Sequence, residues 1–189
     1  MIRHAAIRDV PEMGKIINDC AEYGLMLHRS PSYLYEHVRE FYVVQDQDKV
    51  VGVCGLSVVW ANLAEVYALA VQQACRGRGL GKQLVAACLE EARRLGIPKL
   101  MTLTYEVRFF ESCGFEKADR AKLPLKVWGD CIRCAKNQAC DEIAMTRVLE
   151  KVDQAERCQP PAIEKVELPV EVTVGSGRVG RRPKMDEAH

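Results

Sequence analysis

No excess of either charge marks this chain: lysine and arginine total 27 and aspartate and glutamate 26, a formal net charge of +1 over 189 residues. A whole-chain field that would gather nucleic acid or an anionic membrane is therefore excluded. The one basic stretch, 175–184, places Arg178, Arg181, Arg182 and Lys184 among glycines and reads as a solvated, flexible end. No run approaches the ~18 apolar residues of a membrane-spanning helix, and the first eight residues hold no apolar core of signal-peptide length. A cytoplasmic protein is expected. An even-numbered disulfide framework is also missing: nine cysteines are spread along the chain. Cys20, Cys54 and Cys88 lie among apolar neighbours, as reduced, buried thiols do.

What is present fits one globular unit and a tail, with 48% hydrophobic and 28% charged residues. Ile2, Ala5 and Ile7 suggest a first strand. Asp9, Pro11 and Glu12 then supply an N-cap, an early proline and a first-turn acid. Met13, Ile16, Ile17, Cys20 and Ala21 repeat at helical spacing up to Gly24. Ser30-Pro31 opens a second short helix with Leu34, Val38 and Phe41 on one face. Residues 42–44 and 50–59 read as an antiparallel hairpin across the polar 45–49, with Gly52 and Gly55 marking irregularity or close approach.

A strand over 65–71 leads into 72–78 and then the strongest helix, 79–95, whose stripe is Leu80, Leu84, Val85, Cys88, Leu89, Ala92 and Leu95, stopped by Gly96. A strand over 99–104, a short helix over 107–112 and a closing strand over 141–149 follow. Beyond Glu150 lies a tail in which 166–174 alternates well enough for an added strand or hairpin arm. The order implies a mixed α+β sheet with helices on its faces.

The segment Val71-Gln72-Gln73-Ala74-Cys75-Arg76-Gly77-Arg78-Gly79-Leu80-Gly81-Lys82 joins a strand to the long helix. Its glycines let the backbone turn and approach a ligand, and the first unpaired N–H groups of the helix face whatever sits at its start. The helix dipole favours an anion there, and a pyrophosphate fits the description. A P-loop is excluded by the spacing and by the lack of a Lys-Ser/Thr pair, and a dinucleotide fingerprint would follow the first strand.

Arg76-Gly77-Arg78-Gly79-Leu80-Gly81 resembles the Arg/Gln-x-x-Gly-x-Gly/Ala signature of the GNAT acetyltransferases, and the resemblance covers about residues 1–150. It implies a mixed, mostly antiparallel, twisted sheet with helices on both faces, and a tail over 151–189. It also implies acetyl-CoA as co-substrate. Leu69, Ala70 and Val71 match the strand end that binds the pantetheine arm, and Arg76, Gly77, Arg78, Gly79, Leu80, Gly81 and Lys82 match the pyrophosphate loop. The Val71 N–H would polarise the thioester carbonyl.

Several segments further resemble the acetyltransferase domain of N-acetylglutamate synthase, the amino-acid acetyltransferase of arginine biosynthesis: Ile2-Arg3 with Asp9-Val10-Pro11, His28-Arg29-Ser30, Ala64-Glu65-Val66, and Leu103-Thr104 followed by Phe110 and Phe115. That enzyme usually carries an amino-acid-kinase-like domain in front. This chain begins at the transferase, so arginine feedback through such a domain is not expected. By the same resemblance Glu65 is the general base for the amine, directly or through water; the alternative is a solvated strand glutamate. Arg29 would clamp a substrate carboxylate; the alternative is an ordinary helix-flanking arginine. His28 could bind substrate or simply pack its ring, and packing is expected. Many GNAT enzymes place a tyrosine acid where this chain has Phe110, and Tyr105 is the nearest substitute; otherwise it packs with its hydroxyl in water. The expected partner is a small-molecule amine or amino acid, most directly L-glutamate, with a homodimer left open. Acetylation of another amine, or a non-catalytic CoA-binding sensor, are the rival functions.

Cys131, Cys134 and Cys140 form a C-x2-C-x5-C run flanked by Asp130 and Asp141. Thiolates at this spacing converge on zinc or an iron–sulfur cluster, with Cys113 or Cys158 as a fourth ligand. A redox-responsive dithiol and ordinary reduced cysteines are the alternatives.

Overall fold

The strands over 41–44 and 50–56 are apolar on both faces rather than alternating, which is the pattern of strands covered from both sides. A computed structural model, describing residues 1–120, 123, 141–150 and 152, accounts for it. Seven strands, β1 (Ile2–His4), β2 (Phe41–Asp46), β3 (Lys49–Trp60), β4 (Leu63–Val71), β5 (Lys99–Thr104), β6 (Glu116–Lys117) and β7 (Ile143–Val148), form one sheet. Their order is β1-β2-β3-β4-β5-β7-β6. Every neighbouring pair is antiparallel except β4 and β5, which run parallel.

Helix α1 (Val10–Glu22) and the short α2 (Pro31–Glu36) cover one face, and α3 (Leu80–Arg94) covers the other. Met13, Ile16, Ile17 and Leu34 pack with Phe41, Val43, Val50 and Val53. Leu84, Val85, Cys88 and Leu89 pack with Tyr42, Val44, Cys54 and Leu56. Burial of Leu84, Val85 and Leu89 contributes about 1.5–3 kcal/mol each, which is what holds α3, and hence its N-terminus, against the sheet. Helix α4 (Val107–Glu111) follows β5.

Gly24 takes a positive φ of 69° and donates to the Ala21 carbonyl, closing α1 as its position suggests. Ser30 caps α2, its Oγ accepting from the Tyr33 N–H at 3.1 Å. Four local details differ from the sequence reading. The first strand stops at His4, where its pairing with β2 ends, and Ile7 enters a 3-10 turn, Ile7–Asp9. Asp9 does not cap α1 with its side chain; the carboxylate accepts from the Ala6 N–H and from Arg3 instead. The second helix ends at Glu36 and tightens into a 3-10 turn, Val38–Glu40, so Phe41 already belongs to β2 and pairs with Gly55. The polar linker of the hairpin shrinks to two residues, because pairing extends to Asp46 and Lys49 and leaves Gln47 and Asp48 at φ 44° and 65°. Positive φ at both central positions matches the right-handed twist of the flanking strands.

The cysteine run Cys131, Cys134 and Cys140, with Asp130, lies outside the described residues, as does the alternating segment 166–174. Among the described residues no helix is long and apolar enough to cross a membrane.

Candidate active site

Strands β4 and β5 pair only at Ala64 with Leu100 and Glu65 with Met101, and beyond Glu65 they diverge. A bulge helps to turn β4 away. Its register on β3 shifts between Val53 and Gly55, and Ala68 adopts a left-handed φ of 48°. Gly55 is required at this point, since a Cβ there would lie 2.4 Å from the Tyr67 ring. The opening is a cleft of about 970 Å³ lined by residues 65–71 of β4, residues 102–106 at the end of β5, the loop 24–29 and the glycine segment.

At one end of the cleft, Gly77 and Gly79 have φ of 78° and 76°, and nothing lies within 4 Å of where a Cβ would stand. Their backbone conformation, rather than crowding, makes glycine necessary. The first helical bond of α3 runs from the Gln83 N–H to the Gly79 carbonyl, so the N–H groups of Leu80, Gly81 and Lys82 have no acceptor within the helix. Gly81 approaches the Phe109 ring, which stands 3.3 Å from its would-be Cβ.

The Gln72 N–H donates to the Val51 carbonyl. In an antiparallel ladder this pair alternates with the next one, Val71 opposite Gly52, so the Val71 N–H and carbonyl point away from β3 into the gap. The Val71 carbonyl accepts from Arg76 Nε at 3.1 Å, and the Arg76 guanidinium also reaches Cys20 Sγ at 3.6 Å. Leu69, Ala70, Val71, Arg76, Gly77, Gly79, Leu80, Gly81 and Lys82 all line the cleft. Arg78 does not; it reaches Asp46 at 2.8 Å on the exposed surface.

The same cleft gathers Arg29, Glu65 and Tyr105, which are distant in sequence. Glu65 is half-buried at the last paired position of β4. Tyr105 follows β5 directly and its hydroxyl donates to Asp141 Oδ1 at 2.8 Å. Arg29 is fixed at its backbone by Asn18, which accepts from the Arg29 N–H at 2.9 Å and donates to its carbonyl at 3.0 Å. The Arg29 guanidinium lies over the Tyr33 and Tyr67 rings, 4.3 and 5.5 Å from their centroids. His28 does not pack its ring: it is mostly exposed and stands 3.4 Å from Glu22. Phe110 is buried against Phe109 and Phe115 and has no proton to give.

Sequence reasoning missed several cleft residues, namely Cys20, Tyr67, Cys75, Glu106, Arg120 and Glu142. No spacing in the chain links them, because they come from five separate elements or loops that only the fold brings together. Among the described residues no group of three or more histidine, cysteine or acidic side chains could hold a metal ion.

A cleft between diverging parallel strands, lined by a glycine-opened helix N-terminus and by titratable side chains, suits acyl transfer from a CoA thioester. Residues 10–115 match the acetyltransferase (GNAT) family. The chain is 34% identical over 148 residues to an uncharacterized N-acetyltransferase of Chlorobaculum tepidum, covering 78% of this chain and 96% of that protein. It is 32% identical over 136 residues to the amino-acid acetyltransferase of Mycobacterium tuberculosis, covering 70% of this chain and 78% of the relative. The structure matches N-acetylglutamate synthase from Neisseria gonorrhoeae complexed with coenzyme A and N-acetyl-glutamate, with a TM-score of 0.73 and 28% identity over 80% of this chain and 35% of that one. This chain belongs to the GNAT family and is an acetyl-CoA-dependent N-acetyltransferase.

Proposed function

We propose that the acceptor is the α-amine of a small amino acid, L-glutamate or a close relative. The observation that carries this reading is Arg29, whose backbone is held by Asn18 and whose guanidinium lies over Tyr33 and Tyr67, in the lining of the same cleft as Glu65 and Val71. A guanidinium holds a carboxylate through two parallel hydrogen bonds, which orients the amine beside it. The amino-acid acetyltransferase relatives support the same choice.

Acetyl-CoA lies with its pyrophosphate at the N–H groups of Leu80, Gly81 and Lys82 and its pantetheine arm along residues 69–71. Glu65 takes a proton from the ammonium group, directly or through water. The free amine attacks the thioester carbonyl, a C–N bond forms, and the oxyanion is held by the Val71 N–H. The C–S bond then breaks and the thiolate leaves, taking a proton from Tyr105 or from water, and the second proton on the adduct nitrogen passes to the tyrosinate or hydroxide so formed, leaving the neutral amide. A thiol with a pKa of ~8.5 is a fair leaving group even without an acid.

A second reading, a cationic amine without a carboxylate, is favoured by Glu106 and Glu142, which add two carboxylates to the cleft beside Glu65. Mass spectrometry of acetyl-CoA reactions with a panel of amino acids, polyamines and peptides separates the two. Acetylglutamate as the dominant product is expected. Acetylated polyamine with no acetylated amino acid would overturn the leading reading.

A further inference from the structure

The Arg29 side chain stands at one corner of a ring of contacts of which only part touches the cleft. Its guanidinium lies 4.3 Å over Tyr33 and 5.5 Å over Tyr67. Tyr33 stacks on His37 with ring centroids 4.2 Å apart. His37 Nδ1 meets Glu40 Oε1 at 2.8 Å, and the other carboxylate oxygen, Oε2, accepts from the Tyr67 hydroxyl at 2.8 Å. The circuit Arg29, Tyr33, His37, Glu40, Tyr67 and back to Arg29 is closed. Arg29 and Tyr67 line the cleft, and Tyr33, His37 and Glu40 do not.

Tyr67 is held firmly enough to act as a platform. Its ring fills the space left by Gly55, where a Cβ would stand 2.4 Å away, and the next residue, Ala68, carries the left-handed turn of the bulge. Burial and then the Glu40 carboxylate hold its phenol well above the usual tyrosine range, so it stays a donor to Glu40. A cation–π contact uses the charge of a guanidinium and consumes none of its five in-plane donors. Two aromatic faces therefore fix where the guanidinium sits without competing for the hydrogen bonds that a carboxylate requires.

We propose that Glu40, through Tyr67 and His37-braced Tyr33, is the positioning residue that sets Arg29 for the acceptor carboxylate, and that this aromatic seat determines acceptor affinity and selectivity without bearing on acetyl-CoA. The inference rests on the reading of Arg29 as the carboxylate clamp. Exposure of part of the Glu40 side chain gives a route for substitution without opening the core.

The test is steady-state kinetics of the full chain with L-glutamate and with its decarboxylated analogue, 4-aminobutyrate, in wild type, E40A, E40Q, Y67F and R29A. E40A is expected to raise the L-glutamate KM about five- to tenfold, equivalent to losing the net contribution of one typical hydrogen bond, with kcat and the acetyl-CoA KM near wild type. E40Q keeps an oxygen that accepts from Tyr67 and is expected to recover most of that loss. Y67F, which keeps the ring and removes the hydroxyl, should resemble E40A. Unchanged L-glutamate KM in E40A and Y67F, while R29A raises it, overturns the positioning role alone. So does a parallel rise in both KM values with a lowered Tm, which marks a merely structural contact. Unchanged L-glutamate KM in R29A overturns the carboxylate-clamp reading and the inference with it.

Discussion

Glu65 occupies the last position at which β4 still pairs with β5, so its carboxylate stands where the strands part and the cleft begins. Replacement by glutamine keeps the shape and removes the proton acceptor. In Glu65→Gln, kcat is expected to fall by about 10²–10⁴, with acetyl-CoA binding by calorimetry unchanged; wild-type turnover would take Glu65 out of the mechanism. Tyr105→Phe loses the hydroxyl that donates to Asp141. Its kcat should drop by less than that of the Glu65 variant, because a thiolate leaves without obligatory protonation, and pre-steady-state measurement of the chemical step would reveal the difference. Glu65 and Arg29 were singled out through the family resemblance, since each sits in a short matching segment, whereas Tyr105 was singled out as the nearest substitute for a tyrosine that the chain replaces with Phe110. Tyr67 and Glu40 were not: one is a strand residue and the other lies in a 3-10 turn, and 27 positions separate them in the chain although their side chains meet at 2.8 Å.

The glycine loop is the element whose sequence and structure agree most closely. Gly79 sits at φ 76° as the N-cap of α3, and a Cβ there would meet open space. Gly79→Ala should therefore cost about 1–2 kcal/mol through the left-handed backbone alone. Any relaxation of φ that relieves part of this strain moves the first N–H groups of α3. The acetyl-CoA KM is expected to rise while the acceptor KM stays as it was, and initial-rate kinetics with each substrate varied would show it; equal changes in both would contradict a cofactor-only role for the loop. The hairpin between β2 and β3 was legible as a hairpin but not in its turn, because Gln47, unlike Asp48, is not a residue that favours positive φ. Sheet pairing out to Asp46 and Lys49 imposes that conformation.

Across the whole molecule, β1 is tied to the start of α1 by a bidentate pair. Arg3 donates from Nη1 to Asp9 Oδ2 at 2.6 Å and from Nη2 to Oδ1 at 2.9 Å, with Asp9 almost wholly buried. The Arg3 hydrogen bonds, aided by the Ala6 N–H, hold the Asp9 carboxyl below its usual range against the opposing effect of burial. A depressed folded-state pKa contributes stability that is present above the unfolded value of ~3.9 and is lost as pH falls through the folded value. Urea midpoints should thus decline below about pH 4, and Asp9→Asn should flatten that decline while lowering stability at pH 7 by about 1–3 kcal/mol. An unchanged acid limb in the variant would assign it to other carboxylates. Filling the cleft also links distant parts, because α3, β4 and β5 meet around the ligand. At 100 times its Kd, acetyl-CoA should stabilise the fold by about 2.7 kcal/mol, raising Tm by several degrees in calorimetry.

The sequence by itself determined the order of the elements, the mixed sheet covered on both faces, and the glycine-opened turn into α3 that lines the cleft. These depend on local periodicity, on turn residues and on a glycine pattern between one strand and one helix, all written over short stretches of chain. Tertiary structure alone decided where β4 leaves β5, which way the Val71 N–H points, and that Arg78 turns out to Asp46 while Arg76 turns in. It alone brought Glu40 and Tyr67 beneath Arg29. Such features depend on pairing register and on contacts between residues remote in the chain, and no single stretch of sequence encodes them.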